Sequence, residues 1–417
     1  MKEKLKLLTF CLLAAAAQAA KAEDIKWNGY LNVVVGGLKN NPVSDFSDKQ
    51  QHPGRVGYDK DFSFQPESSA ALQATKKLDK KTSVTAQFYS EGETDDFAVK
   101  MKWAYLTYNL TNKSTVKVGK LGAPVYYFSD FFNVGYAYHW VTPPHELYTF
   151  DSSYIGVDYL FRDVIGNWDW SFESSTGGYN QRLEAIHADV KTSNTITAIF
   201  TASTGGWLNL RAMLYQSKGT FKVDGVDPVT LTDSAFAGAS SKLGLPESVF
   251  EPYRDAVEAE VSKTLDLNQF LIRYAEVAAR MEFDRWLFMG EWITIQTDNY
   301  VYNDNYSWFV TGGYRVGKAF YHVTYAEQKT KIDDPFYKDV SYVGTDAHYF
   351  ATQIDTAVVE AASFNNHSVT LGVRVDTSPN TAVKFEVVGF EEKPSYITET
   401  AGIGKNVLVR AALNVIY

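Results

Sequence analysis

The chain closes on Val407-Leu-Val-Arg-Ala-Ala-Leu-Asn-Val-Ile-Tyr417. Counting back in twos from Tyr417 gives Val415, Leu413, Ala411, Val409 and Val407, an unbroken apolar row. The alternate positions are Ile416, Asn414, Ala412, Arg410 and Leu408. Side chains along a strand point to opposite faces in turn. One face therefore suits lipid and the other, with Asn and Arg, suits water. Taken alone, the pattern also fits the last strand of a soluble β protein.

The other end of the chain separates these readings further. Lys2, Lys4 and Lys6 precede the apolar run Leu7-Leu-Thr-Phe-Cys-Leu-Leu-Ala-Ala-Ala-Ala17, and Ala20-Lys-Ala22 follows. A basic start, a short apolar stretch and an A-x-A site make a secretory signal peptide, residues 1–22. Its apolar run is too short to span a bilayer as a helix. The only cysteine, Cys11, lies inside it, so the mature chain 23–417 is expected to have no disulfide.

Removing residues 1–22 leaves 36 basic against 48 acidic residues, a net charge of −12. No basic stripe appears, which argues against nucleic acid as a partner. No later segment has the roughly 18 consecutive apolar residues of a membrane helix. Aromatics nevertheless make up 15% of the chain, as expected of interfacial girdles. A membrane protein without membrane helices must be a closed barrel, because lipid offers backbone groups no partners.

Segments of about ten residues, many alternating, recur between polar turns. Strands are predicted over 25–38, 64–78, 82–91, 97–110, 114–121, 153–162, 167–176, 194–203, 207–216, 267–282, 285–298, 305–316, 318–328, 368–376, 380–391 and 405–417. Every second connection is short, as in Phe283-Asp284 or Thr377-Ser-Pro-Asn380. The long ones, 39–63, 122–152, 177–193, 217–266, 329–367 and 392–404, all fall on the other side. Outer-membrane barrels sort their connections this way, with short periplasmic turns and long extracellular loops. A soluble sandwich has no reason to do so. The predicted fold is all-β, a transmembrane antiparallel barrel of about 16 strands with both termini periplasmic.

The faces sort as well. Ile155, Val157, Tyr159 and Phe161 oppose Asp158 and Arg162; Val369, Leu371, Val373 and Val375 oppose Arg374 and Asp376. A charge facing mid-bilayer lipid costs about 2–4 kcal/mol, so charges should face the lumen. That selects Lys100, Lys102, Lys117, Arg162, Arg211, Arg280, Arg315, Arg374, Lys384 and Arg410 as basic wall residues. Asp158, Asp169, Glu173, Glu276, Glu282, Glu291, Asp376 and Glu386 are their acidic counterparts. The two sets nearly balance, so the wall alone sets no ion preference. Within the extracellular loop 217–266, residues 234–264 read as helical, with Val249, Phe250, Tyr253, Val257 and Val261 near helical spacing. The helix either caps the mouth or is a packed surface element.

The loop 122–152 carries the most distinctive chemistry. It contains Tyr126, Tyr127, Phe128, Asp130, Phe131, Phe132, Tyr136, Tyr138, Trp140 and the Pro143-Pro144 pair. So aromatic a loop is not expected to hang in water. The chain resembles the Gram-negative porin superfamily in architecture over its mature length. The resemblance narrows to about thirty residues, from Val116-Lys-Val-Gly-Lys120 through Asp130-Phe-Phe-Asn-Val-Gly-Tyr-Ala-Tyr138 to Pro144. The terminal aromatic, Tyr417, resembles the signal that the barrel assembly machinery reads.

The resemblance implies that this third extracellular loop folds into the lumen and forms a constriction. Asp130, Glu146 and Asp151 would face basic residues on the wall, with Tyr126, Tyr127, Tyr136 and Tyr138 beside them. The Pro-Glu-Phe-Gly-Gly type of constriction is missing, and the longer aromatic loop leaves pore width open. Its rings either favour aromatic or sugar-like solutes, pack the loop on the wall, or plug the pore. The resemblance further implies a homotrimer in outer-membrane lipid and a channel for small hydrophilic solutes and ions. The alternatives are a plugged barrel acting as a surface-binding protein or enzyme, and a soluble secreted sugar binder.

No cofactor or metal is expected. His139 and His145 lack metal-ligand spacing, and Glu93-Thr-Asp-Asp96 lacks a full calcium-loop pattern. No nucleophile elbow or phosphate-binding glycine loop appears, so the chain is not read as an enzyme.

Overall fold

The computed structural model describes residues 25–40, 57–92, 97–148, 153–183, 188–223, 227–244, 246–264, 268–298, 304–331, 365–392 and 404–417. The predicted leader 1–22, Glu93–Asp96 and Asp151 lie outside the described residues.

Sixteen strands form one closed antiparallel barrel. They are β1 (Ile25–Leu38), β2 (Ser69–Lys77), β3 (Thr82–Glu91), β4 (Val99–Asn109), β5 (Ser114–Gly122), β6 (Ser153–Ile165), β7 (Trp168–Leu183) and β8 (Ala188–Thr204). The second half comprises β9 (Leu208–Val223), β10 (Phe270–Phe283), β11 (Trp286–Thr297), β12 (Asp304–Val316), β13 (Ala319–Lys331), β14 (Asn365–Ser378), β15 (Thr381–Glu392) and β16 (Gly404–Ile416). Each pairs with its chain neighbours, and β1 closes on β16 from Tyr30↔Ile416 to Leu38↔Leu408. Closure leaves no sheet edge for lipid to meet. The seam ends on reciprocal backbone bonds between Gly29 and Tyr417, 3.1 Å each. The Tyr417 ring packs where a Cβ on Gly29 would sit, 2.2 Å from its hydroxyl oxygen, so a larger residue there would displace the terminal ring.

The short turns use residues that tolerate a left-handed backbone, with Asp284 at φ 52° and Gly317 at φ 59°. The alternation sorts as the sequence predicts. Val409 and Leu413 are exposed on the outer face of β16, while Arg410, Ala412 and Asn414 are buried inside. Phe200, Leu214, Val277, Phe288, Trp292, Val310, Val323, Leu371 and Phe385 continue the apolar outer belt around the barrel. A soluble sandwich is set aside by this closed, outwardly apolar cylinder.

Several boundaries differ from expectation. β2, predicted from 64, begins at Ser69, because residues 64–68 form a turn and a loop. The predicted loop 177–193 is mostly strand, because β7 and β8 run on to Leu183 and from Ala188. β9 likewise extends to Val223. Above the lipid both faces of a strand can be polar, so the ladder continues after the hydrophobic period has gone. The insertion predicted as one helical stretch is two helices, α1 (Pro228–Leu243) and α2 (Arg254–Thr264). Asp227 caps α1 through the backbone amides of Val229 and Thr230, both at 3.0 Å. Phe236, Phe250, Val257 and Val261 form a small core of their own between the helices. The insertion thus has a packing reason for its apolar period.

Candidate pore lumen and the loop folded into it

Beyond Gly122 the chain leaves the wall and turns into the barrel. β5 pairs with β4 only from Ala104↔Lys120 to Asn109↔Thr115. The loop is irregular, with single 3-10 turns at Ser129–Phe131 and Gly135–Ala137. An irregular backbone inside a barrel has amide and carbonyl groups that need partners. Charged side chains on the wall supply them.

Lys384 on β15 donates to the carbonyls of Gly135 and Trp140, both at 2.5 Å. Arg374 on β14 donates to the carbonyls of Tyr136 and Tyr138 at 2.6 and 2.9 Å. Arg211 on β9 reaches the Pro124 carbonyl at 2.7 Å and pairs with Glu276 on β10. Glu386 accepts the Val141 amide at 2.8 Å. Glu291 accepts the Tyr127 amide at 2.9 Å and the Tyr148 hydroxyl. On the opposite side of the seam, Asn32 donates to the Asn133 carbonyl at 2.7 Å and accepts from Asn414 at 2.8 Å. A Cβ on Gly135 would stand 2.3 Å from the Asn414 amide nitrogen, so the loop touches the wall most closely there.

The aromatic rings fill the space between these bonds. Val125, Tyr126, Phe128, Tyr138, Trp140, Leu147 and Tyr148 form one buried cluster with Ile199, Met213, Met289, Ile293, Phe309 and Ala326 on the wall. Phe128 meets Trp140 edge to face at 5.7 Å, and Phe132 stacks on Tyr148 at 5.6 Å. His139 lies against Trp140 at 3.8 Å and faces His322 of β13 at 4.6 Å. Burial, then the nearby His322 and Lys384, push the His139 imidazole well below its usual range. Tyr136 sits under Arg374 at 4.7 Å, and its hydroxyl donates to the Pro379 carbonyl at 2.7 Å in the short turn after β14. The loop thus reaches the short-turn end of the barrel.

A second loop joins the first at Arg410. Glu67, just before β2, pairs with Arg410 at 2.5 Å, and Glu386 pairs with the same guanidinium at 2.7 Å. The Thr142 hydroxyl donates to Glu67 at 2.8 Å, and His145 lies 3.7 Å away. Burial alone would raise the Glu67 carboxyl; Arg410, then His145 and Thr142, reverse this and hold it at about 2.

The expected site residues therefore divide. Arg211, Glu291, Arg374, Lys384, Glu386 and Arg410 are lumenal but grip the folded loops, and Glu276 holds Arg211 in place. Asp130 is exposed at the loop's inner turn. It lies within electrostatic reach of Lys117, near Asp158 and Glu173 on the bare wall, with Lys117 and Asp158 at 3.5 Å. Lys100 and Lys102 stand above on β4, and Arg162 is exposed below on β6. Arg280 pairs with Glu282 at 2.6 Å, and Arg315 with Asp376 at 2.9 Å. Tyr127 and Tyr136 are half-buried. Tyr126, Tyr138 and Glu146 are buried, because the loop packs them against the wall rather than toward open water. Glu67, Asn32 and His322 belong to the site and were not selected from sequence. Glu67 falls inside the strand predicted over 64–78, but β2 begins only at Ser69 and Glu67 stands in the turn before it, so alternation gave no sign of its Arg410 partner. Among the described residues no group of three or more His, Cys, Asp or Glu is arranged to hold a metal ion.

No protein-family model and no curated protein matches the chain. Solved structures do match in fold. The outer membrane channel DcaP of Acinetobacter baumannii is 12% identical, covers 94% of this chain and 97% of its own, and superposes with a TM-score of 0.57. OmpF of Salmonella typhi, solved in complex with daunomycin, is 10% identical over 94% and 97%, with a TM-score of 0.55. The outer-membrane OmpT of Vibrio cholerae is 13% identical over 94% and 97%, with a TM-score of 0.52. The fold is that of a porin-like outer-membrane β-barrel.

Proposed function

We propose that this chain is an outer-membrane porin that passes small hydrophilic solutes and ions by diffusion. The passage is the space between the folded loop and the wall from β4 to β8. The observation that supports this reading is asymmetric anchoring. Charged side chains of β9–β11 and β14–β16 hold the loop, whereas Asp130 on its other side faces an ionic wall. A sixteen-stranded barrel is wide enough to keep such a passage open beside a folded loop. Asp130 and Asp158 outnumber Lys117 at that level, so the eyelet favours cations.

The reading includes a leader cleaved after Ala22, delivery by the barrel assembly machinery through Tyr417, and a homotrimer. Planar-bilayer recording of the purified protein tests the function: stepwise ion conductance is expected. A second reading, a plugged barrel that binds at the cell surface, draws on the dense aromatic cluster. It predicts a silent bilayer.

A further inference from the structure

On the outer wall, three neighbouring strands carry long polar side chains at one level. Going up, Leu214 gives way to Gln216 on β9, Ala275 to Arg273 on β10 and Thr294 to Gln296 on β11. Gln216, Arg273 and Gln296 are direct cross-strand partners and all are exposed. The row lies on the long-loop half of the barrel, so it sits at the headgroup layer of the outer leaflet.

Directly below the row is a hollow of about 400 Å³. Ala198 and Ala275 make it, because each is small beside Ile196 and Leu214 on the same face. Arg273 stands at its upper rim between the two carboxamides. Lys218, the diagonal neighbour on β9, faces the same way. The nearest acid on that face is Asp298, whose Oδ1 accepts the Leu271 amide at 2.5 Å. Arg273 and Lys218 thus stand at the rim with Asp298, and Asp304 lies beyond Gln296 on β12. Arg273 is the cation between the two carboxamides, and the floor is apolar.

We propose that this hollow binds a phosphorylated lipid of the outer leaflet. The planar guanidinium of Arg273 meets the phosphate in the fork geometry that suits it. Gln216 and Gln296 bond to neighbouring headgroup oxygens. The start of an acyl chain lies over Ala198 and Ala275 against Leu214.

The test is native mass spectrometry of the full-length barrel in detergent, titrated with bisphosphorylated lipid A. One tightly held lipid per barrel is expected. Arg273→Ala should weaken it about tenfold, as loss of a charge-assisted hydrogen bond does. Arg273→Lys should weaken it less, and Gln296→Leu several-fold, which covers a failure of the alanine variant to fold. Dephosphorylated lipid A should not distinguish wild type from Arg273→Ala. Lys222→Ala, which removes an outward cation higher on β9, should leave binding unchanged. Equal binding by wild type and Arg273→Ala overturns the proposal. So does an equal loss with Lys222→Ala, which would mean diffuse charge attraction only.

Discussion

Arg410 and Glu67 are 343 positions apart in the chain and meet at 2.5 Å inside the barrel. Their contact joins the last strand to the first loop, and Thr142 brings in the third loop at the same guanidinium, 2.7 Å away. Glu386 holds the other side of Arg410 and the amide of Val141. One buried cation therefore ties two loops to two strands.

Replacing Arg410 with Met should destabilise the barrel, because Glu67 and Glu386 would stay buried without their counter-charge. Breaking a buried pair from one side typically costs about 3–5 kcal/mol. Heat-modifiable gel migration should show unfolding at a lower temperature. A double variant with Glu67→Gln should recover part of the loss. An Arg410→Met protein as heat-stable as wild type would remove this contact from the account.

Gly135 tests how closely the loop lies on the wall. Gly135→Val places side-chain atoms where the Asn414 and Asn32 amides stand, 2.3 and 2.6 Å from the Cβ. The loop must then lift from β1 and β16. Single-channel conductance should rise and its noise increase. Unchanged conductance would mean that this part of the loop does not bound the passage.

Asp130 tests the eyelet. Asp130→Asn removes a carboxylate from the surroundings of Lys117 and should move the reversal potential in a salt gradient toward anions. The shift should shrink as salt rises, because exposed charges are screened within about 10 Å at 0.1 M. No shift at low salt would place Asp130 outside the ion path.

Acid should loosen the latch in a defined window. The Glu67 carboxyl is held at about 2 against an ordinary value of 4.5. Its folded value is the lower one, so its contribution is complete above about 4.5 and is lost as pH falls toward 2. The difference corresponds to stability on the order of 3 kcal/mol. Melting temperature against pH should fall in that window and flatten in Glu67→Gln. His139 adds a separate part at higher pH. It is buried neutral, so stability is lost as pH falls below about 6.5, where the unfolded imidazole takes up a proton. His139→Phe should reduce that upper part and leave the Glu67 window unchanged.

Local rules carried the strands far. Val409, Leu413 and Arg410 took their faces from a period of two, which depends only on backbone geometry. Loop lengths gave the direction of every strand without any tertiary contact. The same rules ended too early at β7 to β9, where the outer face leaves lipid and loses its apolar signature. They also grouped Arg374, Lys384 and Arg410 with Lys117 and Arg162, because alternation reports a face and nothing about what fills the space before it.

The sequence by itself determined a sixteen-stranded barrel with an apolar exterior, an ionic interior and a third loop too aromatic for water. Each of these follows from residue type and spacing along one strand or one loop. Only the tertiary structure decided that six of the chosen wall charges hold loops and that Asp130 lies within electrostatic reach of Lys117. Those outcomes depend on which distant backbone carbonyl or carboxylate arrives in front of a side chain. Closure of the barrel sets that meeting, as when Lys384 finds Gly135 and Trp140. Burial in the interior then makes each such partner obligatory.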